Sequence, residues 1–248
     1  PANGTAVLGR DDALAFAQAK RTAAQVLSFG RAKNSDLCAS QVRFLEEGAF
    51  AFQLESPFGR GEIRVFGLAE TIVENALAAA GGTFAAGASF EDVADGLARH
   101  EGVPGRMQPR TLPNDVLLID DTYNANPQSM QNALETLARM PSTGKRHAVL
   151  GQMGELGESA AQAHAEIGRL AAELNVDALY LLGDMADLTA EAAKTAGLAL
   201  EQIIQSESHE ALAESLRNRI NKGDRVLVKG SRAAKMERVI ELLEEGSP

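Results

Sequence analysis

The sequence has 248 residues, with 34 acidic and 24 basic side chains, a formal charge of -10 and a single cysteine. The length fits one large or two modest domains, and 45% hydrophobic with 23% charged residues excludes a disordered chain. The negative balance disfavours nucleic acid and anionic membranes, and the lone Cys38 excludes a disulfide framework or a cysteine-rich zinc site.

No apolar run approaches the ~20 residues of a membrane span, and Pro1-Ala2-Asn3-Gly4-Thr5 has no signal-peptide pattern, so a soluble cytoplasmic protein is expected. In chain order, residues 6–8 and 26–29 read as short strands around a helix over 13–24. Leu37–Leu45, 50–55 and 63–66 read as consecutive antiparallel strands, separated by Glu46-Glu47-Gly48 and Pro57-Phe58-Gly59. Helices are predicted over 71–80 and 89–99, the second opening on Ser89 with Asp92 three residues on. Gly102-Val103-Pro104-Gly105 reads as the hinge between domains. One strand–helix–strand unit that then turns antiparallel makes an incomplete sheet, as expected of a piece of a longer chain.

The second half alternates more regularly. Apolar runs at 115–119, 146–150, 177–182, 201–205 and 224–228 are strand-sized. Helix stripes lie between and after them: Met130, Ala133, Leu134, Leu137 and Ala138; Ala163, Ile167, Leu170, Ala171 and Leu174; Leu212, Leu216 and Ile220; Met236, Val239, Ile240 and Leu243. Such alternation predicts a doubly wound α/β domain over about 107–248, its mostly parallel sheet covered by helices on both faces.

In such a sheet ligands collect beyond the carboxyl ends of the strands. Asp120-Asp121-Thr122-Tyr123-Asn124-Ala125-Asn126-Pro127 lies at one such end. Its carboxylates suit a ribose, a metal-bound water or an ammonium group, or else Asp121 and Asn126 only make turn and cap bonds. Gly151-Gln152-Met153-Gly154-Glu155-Leu156-Gly157 reads as a structural loop, with His164 packing or capping rather than binding metal. In Lys229-Gly230-Ser231-Arg232, Ser231 reads as a helix cap beside two cations, a carboxylate or phosphate site. Gly183-Asp184 is the fourth and weakest segment. Arg106, just after the hinge, is placed to reach a phosphate on domain closure, or to form a surface salt bridge. The chain has no G-x-x-x-x-G-K-[ST] loop and no G-x-S-x-G elbow, and its four histidines lack ligand spacing.

The segment Ile119-Asp120-Asp121-Thr122-Tyr123-Asn124-Ala125-Asn126-Pro127-Gln128-Ser129-Met130 resembles the Mur ligase family, as does Val228-Lys229-Gly230-Ser231-Arg232-Ala233-Ala234-Lys235-Met236-Glu237. Met153-Gly154-Glu155-Leu156-Gly157 followed by His164, Asn75-Ala76-Leu77-Ala78-Ala79-Ala80 and Pro104-Gly105-Arg106 support it in order and spacing. The resemblance implies that residues 1–105 are the second half of a central ATPase domain and 106–248 a Rossmann-like C-terminal domain. The family's phosphate loop, metal ligands and modified lysine would precede this sequence, so the bare chain is expected to be an inactive fragment.

The implied reaction is ATP-dependent ligation of D-alanyl-D-alanine to UDP-N-acetylmuramoyl-tripeptide through an acyl phosphate, for cell-wall peptidoglycan. ATP and Mg2+ would serve the whole enzyme, a monomer with no nucleic-acid partner. By resemblance, Arg106, Asp121 and Lys229 are the catalytic candidates. Asn75, Arg106, Asp121, Tyr123, Asn124 and Asn126 would bind nucleotide, and Asn126, Ser231 and Arg232 substrate; no metal ligand is implied. Thr71-Ile72 stands where the family has His-Asn, and Gln152 where it has aspartate. Alternatives are a non-catalytic nucleotide- or peptide-binding module and a folylpolyglutamate synthase-like ligase, the latter opposed by Asn124-Ala125-Asn126-Pro127.

Overall fold

In a computed structural model, described for residues 2–45, 48–112 and 115–245, the chain divides into two units, 1–102 and 103–248. The expected turn at Glu46-Glu47 lies outside the described residues.

The first unit is a five-stranded sheet in the order β1 (Thr5–Gly9), β2 (Gln25–Gly30), β3 (Leu37–Leu45), β4 (Ala49–Ser56), β5 (Gly59–Phe66). β1, β2 and β3 pair in parallel, whereas β4 pairs antiparallel with both β3 and β5. Its core sets Leu37, Phe52, Leu54 and Ile63 of the sheet against Val73, Leu77 and Phe84 of α2 (Thr71–Ala85). α3 (Phe90–Ala98) starts at the Ser89–Asp92 capping box that its spacing predicts.

Two helices differ from expectation. The predicted 13–24 helix is only α1 (Ala13–Ala17) and a 3₁₀ turn to Arg21, because none of its residues is buried and nothing rewards its continuation. α2 instead runs past the predicted end at 80, through Gly81-Gly82. A Cβ on Gly81 would come within 2.6 Å of Val7 Cγ1, so this glycine permits close packing and does not stop the helix.

The second unit contains β6 (Gln108–Leu112), β7 (Val116–Asp121), β8 (Arg146–Gly151), β9 (Ala178–Leu182), β10 (Ile203–Ser206) and β11 (Arg225–Lys229), in the order β10-β9-β8-β11-β7-β6. All neighbours are parallel except β6, which pairs antiparallel with β7 at the edge. β6 has no apolar alternation and carries Pro109, which an edge strand tolerates. The helices are α4 (Pro127–Arg139), α5 (Ala160–Glu173), α6 (Ala186–Thr195), α7 (His209–Arg217) and α8 (Glu237–Glu245). α7 and α8 share one core with the sheet, in which Leu212, Leu216, Val239, Ile240 and Leu243 pack on Val116, Leu118, Val149, Tyr180, Val226 and Val228. The expected doubly wound Rossmann-like arrangement is present, and β11 inserted between β8 and β7 marks where strand order reverses.

Candidate functional site

The carboxyl ends of β7, β11 and β8 lie side by side at this reversal. β7 ends in Asp120-Asp121, and because successive strand residues face opposite ways the two carboxylates do different things. Asp120 is structural: Oδ1 accepts from the Thr122 hydroxyl at 2.7 Å and Oδ2 from Arg110 at 3.0 Å, and Arg110 also pairs with Glu244 of α8.

Asp121 is the register partner of Lys229 on β11. Lys229 Nζ donates to Asp121 Oδ2 at 2.6 Å and to the Asn124 carbonyl at 2.9 Å, with its side chain only 2% exposed. An ammonium so deep persists only where it is paired and hydrogen-bonded. The other Asp121 oxygen accepts the Met107 N–H at 3.1 Å. Burial pushes the Asp121 carboxyl above the usual carboxylate value, with Lys229 and the Met107 N–H opposing that rise.

The Met107 bond ties the turn carrying Arg106 to the end of β7. Gly105 at φ +71 and Met107 at φ +51 flank Arg106, and the Gly105 carbonyl accepts the Tyr123 N–H at 2.9 Å. A Cβ on Gly105 would stand 3.2 Å from Tyr123 N, so the close approach and the left-handed turn both require glycine. The Arg106 guanidinium lies over the exposed Tyr123 ring, Cζ 4.3 Å from its centroid. Among the described residues Arg106 has no ion-pair partner. It is an exposed, oriented cation suited to a phosphate or carboxylate.

Asn124 and Asn126 are exposed, and both spend their side-chain oxygens locally. Asn124 Oδ1 accepts the Ala125 N–H at 2.8 Å, while Asn126 caps α4 by accepting the Ser129 N–H at 2.8 Å, with Pro127 as the first helical residue. Their NH2 groups, and a second lone pair on each oxygen, remain for a ligand.

The loops after β8 and β11 complete the site. A Cβ on Gly151 or Gly230 would come within 2.7 or 2.6 Å of Met236 Cγ, so the loops fit together only because both positions lack side chains. Gln152 accepts the Ser231 N–H on its carbonyl at 2.9 Å and the Asp184 N–H on its Oε1 at 3.3 Å, joining the ends of β8, β11 and β9.

Ser231 does not cap the last helix as expected. A 3₁₀ turn over Arg232–Ala234 and the left-handed Lys235 intervene before α8, and the Ser231 side chain makes no cap bond. Its hydroxyl is buried without a hydrogen-bond partner. Lys229 is likewise not a free cation beside Ser231, since it is buried against Asp121. Arg232 is exposed and pairs with Glu237 at 3.0 Å.

Arg106, Asp121, Tyr123, Asn124 and Lys229 thus form one cluster, and Ser231 follows two residues beyond Lys229. Asn126 and Arg232 are exposed nearby in sequence, whereas Asn75 belongs to the first unit, exposed on α2. In that unit Ile72 packs against Gly67, where an added Cβ would stand 3.0 Å from the Ile72 Cβ, while Thr71 is exposed. Sequence reasoning missed Arg110 and Met107, and it named Gln152 without its role in joining the loops. Arg110 carries a residue-type signal, whereas Met107 acts through its backbone and Gln152 through its carbonyl and its side-chain oxygen alike. No group of three His, Cys, Asp or Glu able to hold a metal occurs among the described residues, and no described helix is long and apolar enough to cross a membrane.

Comparison with known proteins bears on these residues. Residues 105–232 match the family model described as Mur ligase, glutamate ligase domain. The chain is 36% identical over 98% of its length to the UDP-N-acetylmuramoyl-tripeptide–D-alanyl-D-alanine ligase of Mycobacterium bovis, covering 51% of that protein. Among solved structures it is similar to MurF from Acinetobacter baumannii, with a TM-score of 0.85, 31% identity and coverage of 98% of this chain and 52% of that one. It is also similar to MurF ligase from Thermotoga maritima in complex with ADP, with a TM-score of 0.78, 30% identity and coverage of 98% and 53%. The chain spans about half the length of the curated relatives it matches.

Proposed function

This chain belongs to the Mur ligase family, and we propose that it is half of an ATP-dependent amide ligase adding D-alanyl-D-alanine to UDP-N-acetylmuramoyl-tripeptide in the cytoplasm. The observation that carries this reading is the 36% identity across 98% of the chain to a protein of that name. In this reading residues 1–105 are the second half of the central ATPase domain and 106–248 the C-terminal domain.

ATP, a substrate here, supplies the phosphoryl group that activates the tripeptide carboxylate as an acyl phosphate. The phosphoryl group passes from ATP to a carboxylate oxygen and ADP leaves. The dipeptide amine then attacks the acyl carbon, phosphate leaves with the electron pair of the broken C–O bond, and the amine nitrogen gives up a proton to solvent. Arg106, held by Tyr123 and the Met107–Asp121 bond, is the cation for the nucleotide or the departing phosphate. Asn75, Tyr123, Asn124 and Asn126 are the further nucleotide candidates. Lys229 acts through its buried pair, which fixes Asp121 and the Asn124 turn and presents no free charge. Ser231, with its unsatisfied hydroxyl, and Arg232 at the rim are the candidates for substrate. The carboxylates of Asp120-Asp121 are already engaged, Asp120 by Arg110 and Thr122 and Asp121 by Lys229 and the Met107 N–H.

The test is mass spectrometry of the product made by the natural protein that carries this chain. With ATP, UDP-N-acetylmuramoyl-tripeptide and D-alanyl-D-alanine, the expected product is the pentapeptide. Transfer of a single amino acid instead, or none of any kind, would overturn the reading. A binding module predicts tight ligand binding with no new product.

A further inference from the structure

His164, on α5, belongs to none of the roles assigned above. It is 4% exposed and both ring nitrogens are engaged. Nδ1 faces the Ala160 carbonyl at 2.8 Å, and Nε2 lies 2.9 Å from the Met153 backbone nitrogen. The carbonyl can only accept and the N–H can only donate, so the ring is the neutral Nδ1–H tautomer with Nε2 as acceptor. The small cavity beside it is lined by Met130, Leu150, Ile167 and Leu181 together with two polar side chains that are already engaged: Thr189 Oγ1 donates to the Met185 carbonyl and Gln152 Oε1 accepts the Asp184 N–H.

What His164 holds is the residue next to Gln152, whose own carbonyl accepts the Ser231 N–H at 2.9 Å and whose Oε1 accepts the Asp184 N–H at 3.3 Å. One imidazole therefore fixes the loop after β8, and through Gln152 the loops after β11 and β9.

We propose that His164 is a positioning residue for the substrate side of this site, setting Ser231 and its neighbours through Met153 and Gln152. The inference rests on the proposed ligase reading and adds a residue to it. His164 is buried with both ring nitrogens engaged, so it acts through its neighbours. Its contribution is to keep the Ser231 hydroxyl where the incoming dipeptide would meet it.

Two variants separate this from a purely structural role. His164→Leu fills the space and removes the acceptor, while His164→Gln offers a carboxamide oxygen to the Met153 N–H. Hydrogen exchange on the chain itself is expected to show faster exchange at Met153 and Ser231 in His164→Leu and near-normal exchange in His164→Gln. In the natural protein, His164→Leu is expected to raise KM for D-alanyl-D-alanine about tenfold or more, as small misplacement of a substrate-orienting group does. KM for ATP stays within about twofold of wild type, and His164→Gln restores most of the loss.

A wild-type dipeptide KM in His164→Leu despite loosened amides would overturn the inference and leave the ligase reading intact. So would equal losses for ATP and dipeptide in step with lost stability. If the wild-type protein ligates no dipeptide at all, the ligase reading fails and this inference falls with it.

Discussion

Lys229 and Asp121 were visible in the sequence as polar residues at two strand ends, but not as partners. Their pairing follows from β11 inserting next to β7, a long-range event that local spacing does not encode. Registered residues on parallel neighbours face the same side, which turns two separate motifs into one buried ion pair. Removing one partner strands the other charge in the core. Lys229→Met is expected to destabilise the chain by about 3–5 kcal/mol, and the double variant Lys229→Met with Asp121→Leu to recover much of it. Urea unfolding of both variants measures this, and an unchanged midpoint in Lys229→Met would contradict the pairing. Asn126 as the cap of α4 was legible because capping is local chemistry: an oxygen-bearing side chain, then proline, at the start of a periodic segment. Ser231 has the same appearance, and there the reading failed. Met236 must pack over Gly151 and Gly230, and the chain reaches that position through a 3₁₀ turn and a left-handed Lys235 in place of an immediate helix.

Glycines show the same division among the elements. Gly151 and Gly230 sit where a ligand-binding loop would want them, yet their immediate partner is Met236. Gly230→Ala is expected to cost about 1–3 kcal/mol through overpacking, and adding Met236→Ala should recover part of that cost in thermal melts. No recovery would mean the neighbouring Ala234, not Met236, sets the limit. At the opposite, amino end of the sheet, β8 and β11 are clamped by a second buried group. His147 Nε2 lies 3.0 Å from Asp224 Oδ2, and Asp224 also accepts the Lys145 and Asn221 N–H groups at 2.7 Å each. Burial lowers the His147 pKa, against the raising influence of Asp224 and Asp177, and the same burial pushes Tyr180 up to about 12. The folded state thus binds this proton less readily than the unfolded chain, whose histidine titrates near 6.5. Stability from this group is full above about pH 6.5 and falls as pH drops below it. His147→Gln, which keeps a donor for Asp224, should flatten that part of the stability–pH curve. An equally steep curve in the variant would place the acid sensitivity elsewhere. The helix stripes at Leu212, Leu216 and at Val239, Ile240, Leu243 were legible because they are the buried faces of α7 and α8. β6 was not, since its residues alternate no apolar face and its place is won by pairing along the edge of β7.

For the whole molecule, the second unit was the more legible. Five strands separated by helices can close into few arrangements, and all of them gather loops beyond the carboxyl ends. What those loops do was legible only through resemblance, because Arg106, Tyr123 and Asn124 are ordinary residue types until the fold brings them together. The 248-residue chain contains no phosphate-binding G-x-x-x-x-G-K-[ST] loop. The chain by itself is therefore expected to give no ATP-dependent ligation, and turnover by it alone would refute its assignment as half of a ligase. We propose that the natural protein carrying it couples ATP cleavage to dipeptide addition. Steady-state phosphate release from ATP with UDP-N-acetylmuramoyl-tripeptide, measured with and without D-alanyl-D-alanine, tests this most directly. Release is expected to depend on the dipeptide and to drop at least about a hundredfold in Arg106→Ala, the scale of losing one oriented charge at a transition state. Phosphate release indifferent to the dipeptide, or unchanged in Arg106→Ala, would contradict it.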